Sequence, residues 1–276
     1  MNEELSGPML QRLVASLDQI IAVSVAVSEG SNGIEADARG HWVNALYGRL
    51  CLNAMTVLGM MVDGVNGRPM DHYSIVIISR SAFEVCLTIA YLTTENISAS
   101  EQELRMLALR IHDTVSRLRF FKGFERSAQV GLFRQDLDEL RKAIRENSFF
   151  HRLERSQQTD LISGKTVFIG GIRSVVREVG MSVDQFDSLY AYFSTYVHSM
   201  PMSFFRSREH EISYAEPSDP QIVVSGIAVE LVEFSLTRAG RRLIGYFSAI
   251  RGKVGEAKMK EFDKLHAAVH DFSKQA

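Results

Sequence analysis

The stretch SVDQFDSLYAYFSTYVHSMP, residues 182–201, reads as one amphipathic helix with its start and its stop both written into it. At about 100° per residue, Phe186, Leu189, Tyr190, Phe193, Val197 and Met200 fall on one stripe, the pattern of a helix laid against a core. Ser182 followed by Gln185 has capping-box spacing, and Pro201 lacks the N–H needed to continue the helix. Tyr190, Ser194 and His198 recur every four residues along one edge of the apolar stripe. That edge puts their polar tips at the boundary between core and solvent, where a cleft would use them.

Working outward, the same physics covers the rest of the chain. Five prolines in 276 residues and few alternating segments leave long windows open to helix. The expectation is an all-α, multi-helix bundle of about eight helices, with at most one short hairpin near 163–171. It forms a single domain, 1–276, in which the N-terminal helices, 8–66, are the one candidate for a partly separate hairpin.

Helices are expected over about 8–29, 35–65, 71–94, 98–124, 132–152, 171–179, 221–250 and 255–273, besides the opening stretch. Asp71 caps the third of these, and Ser98 and Ser100, each with a glutamate three residues on, cap the fourth. The third is apolar around almost its whole circumference, with a polar strip of Arg80, Ser81, Glu84, Thr88 and Tyr91. Residues 202–220, with two further prolines, read as a segment able to lie over the site as a lid.

Composition narrows the function classes. A hydrophobic share of 46% is ample for a continuous core, and a net charge of -2 gives no global attraction to nucleic acid. Cys51 and Cys86 sit inside apolar helical runs, away from other thiols, and read as small buried hydrophobes in a reducing compartment. The first residues, MNEELS, are acidic and lack the basic start and apolar block of a secretory signal. The most apolar run, 75–92, is interrupted by Arg80 and Glu84, so no membrane span is expected and the location expected is cytoplasmic.

Three constellations could carry chemistry. Arg80 and Glu84, four apart on a greasy helix, share a face and would both be desolvated, so each needs its partner. Ser194 and His198, with Tyr190, pair a hydroxyl with an imidazole one turn on. No Gly-x-Ser-x-Gly elbow accompanies them, which favours His198 as the proton-exchanging or ligand-binding group over Ser194 as a nucleophile. Arg145 and His151, with five residues between them, form a third pair.

No cofactor is expected, and no metal centre. Gly164-Lys165-Thr166 shares the tail of a phosphate-binding loop, but Thr159 stands where the first glycine is required. His266 and His270, one turn apart with Asp263 upstream, have ligand spacing without the glutamate of a His-Glu-x-x-His site.

Residues 78–92, with Arg80-x-x-x-Glu84, and residues 179–198, with Tyr190-x-x-x-Ser194-x-x-x-His198, together resemble two helices of an uncharacterised bacterial all-helical family, a domain of unknown function. The resemblance implies that Arg80, Glu84, Ser194 and His198 form one cluster across two packed helices; it implies no activity. Arg145 to His151 resembles the Arg-x(4–6)-His motif of HEPN ribonucleases, in which the two residues act on RNA without a metal. Arg206 to His210, with three intervening residues, departs from that motif.

Two expectations for function follow. One is a polar pocket binding or hydrolysing a phosphate-containing ligand, RNA or a nucleotide, in a bacterial defence or toxin-like role. There Arg80 holds the anion, His198 exchanges protons and Glu84 orients Arg80, with Ser194 and Tyr190 binding ligand. The other is a non-enzymatic interaction or assembly protein, a homo-oligomer, whose Arg/Glu/His cluster is structural.

Overall fold

The computed structural model describes residues 6–124, 126–205, 212 and 216–271. Eleven α-helices run through them: α1 (Ser6–Gly30), α2 (Ala38–Val65), α3 (His72–Leu92), α4 (Ala99–Gly123), α5 (Ser127–Glu146), α6 (Arg155–Ile162), α7 (Ile172–Glu178), α8 (Val183–Val197), α9 (Asp219–Tyr246), α10 (Ile250–Val254) and α11 (Glu256–Asp271). Two short 3₁₀ turns, Phe150–Arg152 and Pro201–Ser203, complete the described structure, and no strand occurs among the described residues. The segment 163–171 holds turns and bends instead of a hairpin. Gly164 is required there: at φ +71° an added Cβ would stand 2.8 Å from Val115.

The chain divides into two compact units. The first takes Met1–Thr93 and Val176–Ala276, the second Thr94–Val175. In the first, α3 is the central helix and packs on α9, α2 and α8, while α1 packs on α2 and α9. The apolar circumference read in the sequence is used up in this way: Ile75, Val76, Phe83, Leu87, Ile89 and even Tyr91 of the supposed polar strip are buried. Cys51 and Cys86 are free and buried, and burial pushes each thiol up to about 12. The second unit has its own core, where Leu104, Leu107 and Ile111 of α4 meet Leu137, Leu140 and Ile144 of α5.

The start signals that are local act as read. Ser182 accepts from the Gln185 N–H at 3.1 Å, Ser98 from the Glu101 N–H at 3.1 Å, and Asp71 from the Ser74 N–H at 3.1 Å. Several boundaries differ, each through a partner distant in sequence or a competing side chain. The second helix starts at Ala38, because Asp37 accepts from the Gly40 N–H and from the Tyr246 hydroxyl. The helix expected over 132–152 starts earlier and stops at Glu146. There Asn147 turns its side-chain oxygen onto the Phe149 N–H (2.9 Å), ending the ladder.

A further helix, α6, opens with a capping box made by Glu154 and Gln157. The long C-terminal helix breaks at Phe247, whose buried ring folds against Gly40 and Tyr246, leaving α10 separate. These two additional helices bring the nine expected spans to eleven, above the overall count of about eight.

The membrane expectation also changes. α1, α2 and α3 are each long and apolar enough to cross a membrane, with mean hydropathies of 1.4, 1.4 and 1.7 over their most apolar windows. Arg80 and Glu84 are too few charges to remove α3 from that class. Within the fold, 67% of the α3 window is buried, against 39% and 33% for α1 and α2.

Candidate functional site

α3 and α8 pair in descending order: Tyr73 lies against Tyr196, Arg80 against Tyr190 and Ser194, and Phe83 against Phe186. The two helices are therefore antiparallel, and the four-residue spacings on each bring their polar edges into register. Arg80 is the hub. Its Nε donates to Glu84 Oε1 (3.2 Å), Nη1 to Ser194 Oγ (3.1 Å) and Nη2 to the Tyr190 hydroxyl (2.7 Å). The guanidinium carbon also lies 4.1 Å from the Tyr190 ring centroid, within cation–π range.

The hydroxyls close the network on itself. Tyr190 donates to Glu84 Oε1 at 3.2 Å, and Ser194 donates to the Tyr190 backbone carbonyl at 2.5 Å. Each hydroxyl thus uses its single proton inside the cluster while accepting from Arg80. The Arg80 side chain keeps 14% of its exposure, but Glu84 keeps 47%, so only one of the two charges is desolvated. Beside them, a cavity lined by Arg80, Phe83, Phe186 and Tyr190 measures about 10 Å³, at most the room of one water.

Four of the five expected site residues therefore meet. His198 stands at the C-cap of α8, where its backbone N–H bonds the Ser194 carbonyl (3.1 Å) and Ser199 turns left-handed at φ 49°. Its side chain is exposed and makes no hydrogen bond to the cluster among the described residues. Val197, which closes α8, and Met200, which lies past it, were both on the core stripe of the sequence and are exposed at 39% and 51%.

Arg145 and His151 lie in the second unit. Both are exposed, Arg145 in the last turn of α5 and His151 in the following 3₁₀ turn, its ring edge-on to Phe150. The Asn147 turn separates them, and no hydrogen bond joins them among the described residues. Arg206 to His210 lies outside the described residues, as does the side chain of His270. His266 lies 3.5 Å from Arg238, and no group of three metal-ligating side chains occurs among the described residues.

The profile of a family of unknown function, DUF5677, matches residues 41–213, more than half of the chain. The chain belongs to this family. The DUF5677 match contains all five residues of the α3–α8 strip as well as Arg145 and His151. No curated protein and no solved structure matches the chain.

One polar group inside the DUF5677 region went unread in the sequence. His72, the first residue of α3, is 4% exposed, and its Nδ1 lies 3.2 Å from the Gln221 amide nitrogen of α9. Tyr192 and Tyr196, one turn apart on α8, share a hydroxyl hydrogen bond of 2.9 Å beside it. The Tyr-x-x-x-Tyr spacing was visible; the partner 149 residues away was not.

Proposed function

We propose that this chain is a non-enzymatic binding or assembly module in which Arg80, Glu84, Tyr190 and Ser194 form a strut between α3 and α8. The closed hydrogen-bond ring carries that assignment. A nucleophile or general acid needs a proton free to move toward a substrate, whereas Ser194 and Tyr190 both donate inside the cluster. For assembly, Leu52 (64% exposed) and Met55 (49%) stand one turn apart on the outside of α2, which fits a homo-oligomer.

The test is incubation of the protein, His198→Ala and His151→Ala with labelled RNA and a nucleotide panel, with and without chelator. No turnover by any form is the expected result. Cleavage abolished in one variant overturns the assignment and identifies the working histidine. Light scattering of Leu52→Glu completes it: a dimer reduced to monomer supports assembly through α2.

The exposure of His198 favours one alternative, a site for RNA or a nucleotide in a defence or toxin-like role. It stands one turn past Ser194 on the edge that Arg80 anchors, so a phosphate bound along that edge would meet Arg80 for charge and His198 for proton exchange. Arg145 and His151 would be the pair of a HEPN-like ribonuclease if cleavage depended on them instead.

A further inference from the structure

A cavity of about 630 Å³ lies where the C-terminal end of α8 meets the N-terminal ends of α3 and α9, all within the first unit. That volume falls in the range that encloses small molecules. His72, Tyr192, Tyr196, Gln221, Val224 and Met202 contribute to its wall.

The polar groups of the wall are ordered by the fold, so their free valences can be counted. Gln221 Oε1 accepts from the Ser218 N–H (2.9 Å) and hydroxyl (3.2 Å), which fixes the amide so that its nitrogen faces His72. An amide nitrogen donates, so His72 Nδ1 accepts and its Nε2 carries the hydrogen. Burial holds the His72 pKa below its ordinary value, which keeps the ring in this neutral form. Between Tyr192 and Tyr196 one hydroxyl donates to the other, leaving one proton. The wall therefore offers His72 Nε2–H, the second Gln221 N–H and one phenol O–H, none with a protein acceptor among the described residues.

Charge decides the class of guest. No charged side chain lines the cavity among the described residues. The two helix N-termini that reach it, sites that otherwise favour anions, carry Asp71 as the α3 cap and Asp219 in the first turn of α9. With both helix ends already neutralised by their own carboxylates, neither offers an anion its usual site, and no side chain of the described wall offers a cation its counter-charge. Aromatic rings share the wall with aliphatic side chains: Tyr192 and Tyr196 lie 5.4 Å apart, with His72 and Phe205 also in the lining, and Tyr73, outside it, packs on His72 and Tyr196.

We infer that this cavity binds an uncharged, flat aromatic molecule carrying a carbonyl or similar acceptor. The aromatic body packs among the tyrosines, and the acceptor takes the protons that His72, Gln221 and the tyrosine pair leave over. This deepens the binding assignment made above and rests on it.

The probe is the neutral naphthyl ketone 6-propionyl-2-(dimethylamino)naphthalene, whose emission shifts to the blue on leaving water. It is compared with the anionic 8-anilinonaphthalene-1-sulfonate. Expected is saturable, one-site binding with a blue shift, about tenfold or more tighter for the ketone than for the sulfonate. Val224→Trp, which fills the cavity, weakens ketone binding by about tenfold or more. Met202→Asp acts at a residue 65% exposed, where folding is not at stake, and weakens it several-fold. The inference is overturned by sulfonate binding as tight as the ketone, by no saturable site, or by ketone binding unaltered in both variants. RNA cleavage dependent on His198 would remove the underlying binding assignment, whereas a failed titration with no cleavage removes only the ligand class.

Discussion

Replacing Arg80 with methionine removes the guanidinium but keeps an unbranched apolar stem among Phe83, Phe186 and Tyr190. Lost are the hydrogen bonds to Tyr190 (2.7 Å), Ser194 (3.1 Å) and Glu84 (3.2 Å) and the contact over the Tyr190 ring. A bond from a charged donor contributes about 1.5–3 kcal/mol; with some solvent access, the lower figure gives about 3 kcal/mol for the two hydroxyls. The Glu84 pair adds less than about 1 kcal/mol, because that carboxylate is half in water. Release from holding a mostly desolvated cation, with the gain from burying a thioether, returns part of this.

No polar group is stranded, since Ser194 keeps its bond to the Tyr190 carbonyl and Tyr190 keeps Glu84. The net loss should therefore be about 2 kcal/mol, well short of the 3–5 kcal/mol of a truly orphaned buried charge. Trp42, the single tryptophan, lies on α2 in the same unit, so urea unfolding followed by its fluorescence reads this unit directly. A cycle with Tyr190→Phe should give a coupling near 1 kcal/mol. Unchanged or raised stability in Arg80→Met would refute the strut, because the charge would then be kept at a cost to the fold, as binding sites keep theirs.

Three further outcomes follow from the packing. Gly240→Ala places a methyl 2.7 Å from the Tyr47 hydroxyl and 2.8 Å from the Phe262 ring, so it should destabilise by about 1–2 kcal/mol despite alanine's helix preference. Adding Tyr47→Phe, whose hydroxyl has no well-formed partner, should restore part of that loss in thermal melts; a net gain from Gly240→Ala alone would contradict the close approach.

Burial raises the pKa of Glu230 and Glu233, so the folded state binds their protons more tightly than the unfolded chain. Their stabilising contribution is present below the ordinary value of 4.5 and lost as pH rises through the raised values. His72 runs the other way: burial lowers its pKa, so its contribution is present above 6.5 and lost as pH falls through the lowered value. Glu233→Gln should therefore raise the melting temperature at pH 8 and much less at pH 4.5; equal shifts would refute the raised pKa.

Asn147→Ala removes the side-chain bonds to the Phe149 N–H and to the Ser100 carbonyl (2.9 Å each), and should cost the second unit about 1–2 kcal/mol. Hydrogen exchange at the α5 terminus would read the loss, and protection unaltered there would refute that cap.

What the sequence made legible was whatever its own neighbours determine. Ser182, Ser98 and Asp71 announce helix starts because a cap acts within three residues, and Arg80, Glu84, Tyr190 and Ser194 announce a shared edge because four residues make about one turn. Starts and breaks that depend on distant partners did not show: Asp37 is held by Tyr246, and Phe247 folds against Gly40. Asn147 was hidden differently, its side chain overriding the helical pattern around it. Likewise His72 carries no signal of its own until Gln221 arrives from the far end of the chain, and the exposure of His198 depends on where α8 stops.

The α3–α8 seam joins residues 114 positions apart, with the second unit strung between them. Closing so long an excursion is costly, but the cost grows only as the logarithm of its length, about 0.6 kcal/mol per doubling. The seam therefore closes a loop whose length it hardly feels. Chains with a longer or shorter second unit would keep nearly the same first unit while the seam holds, and α8, docking only after the excursion closes, would be a late helix to arrive in folding and an early one to leave.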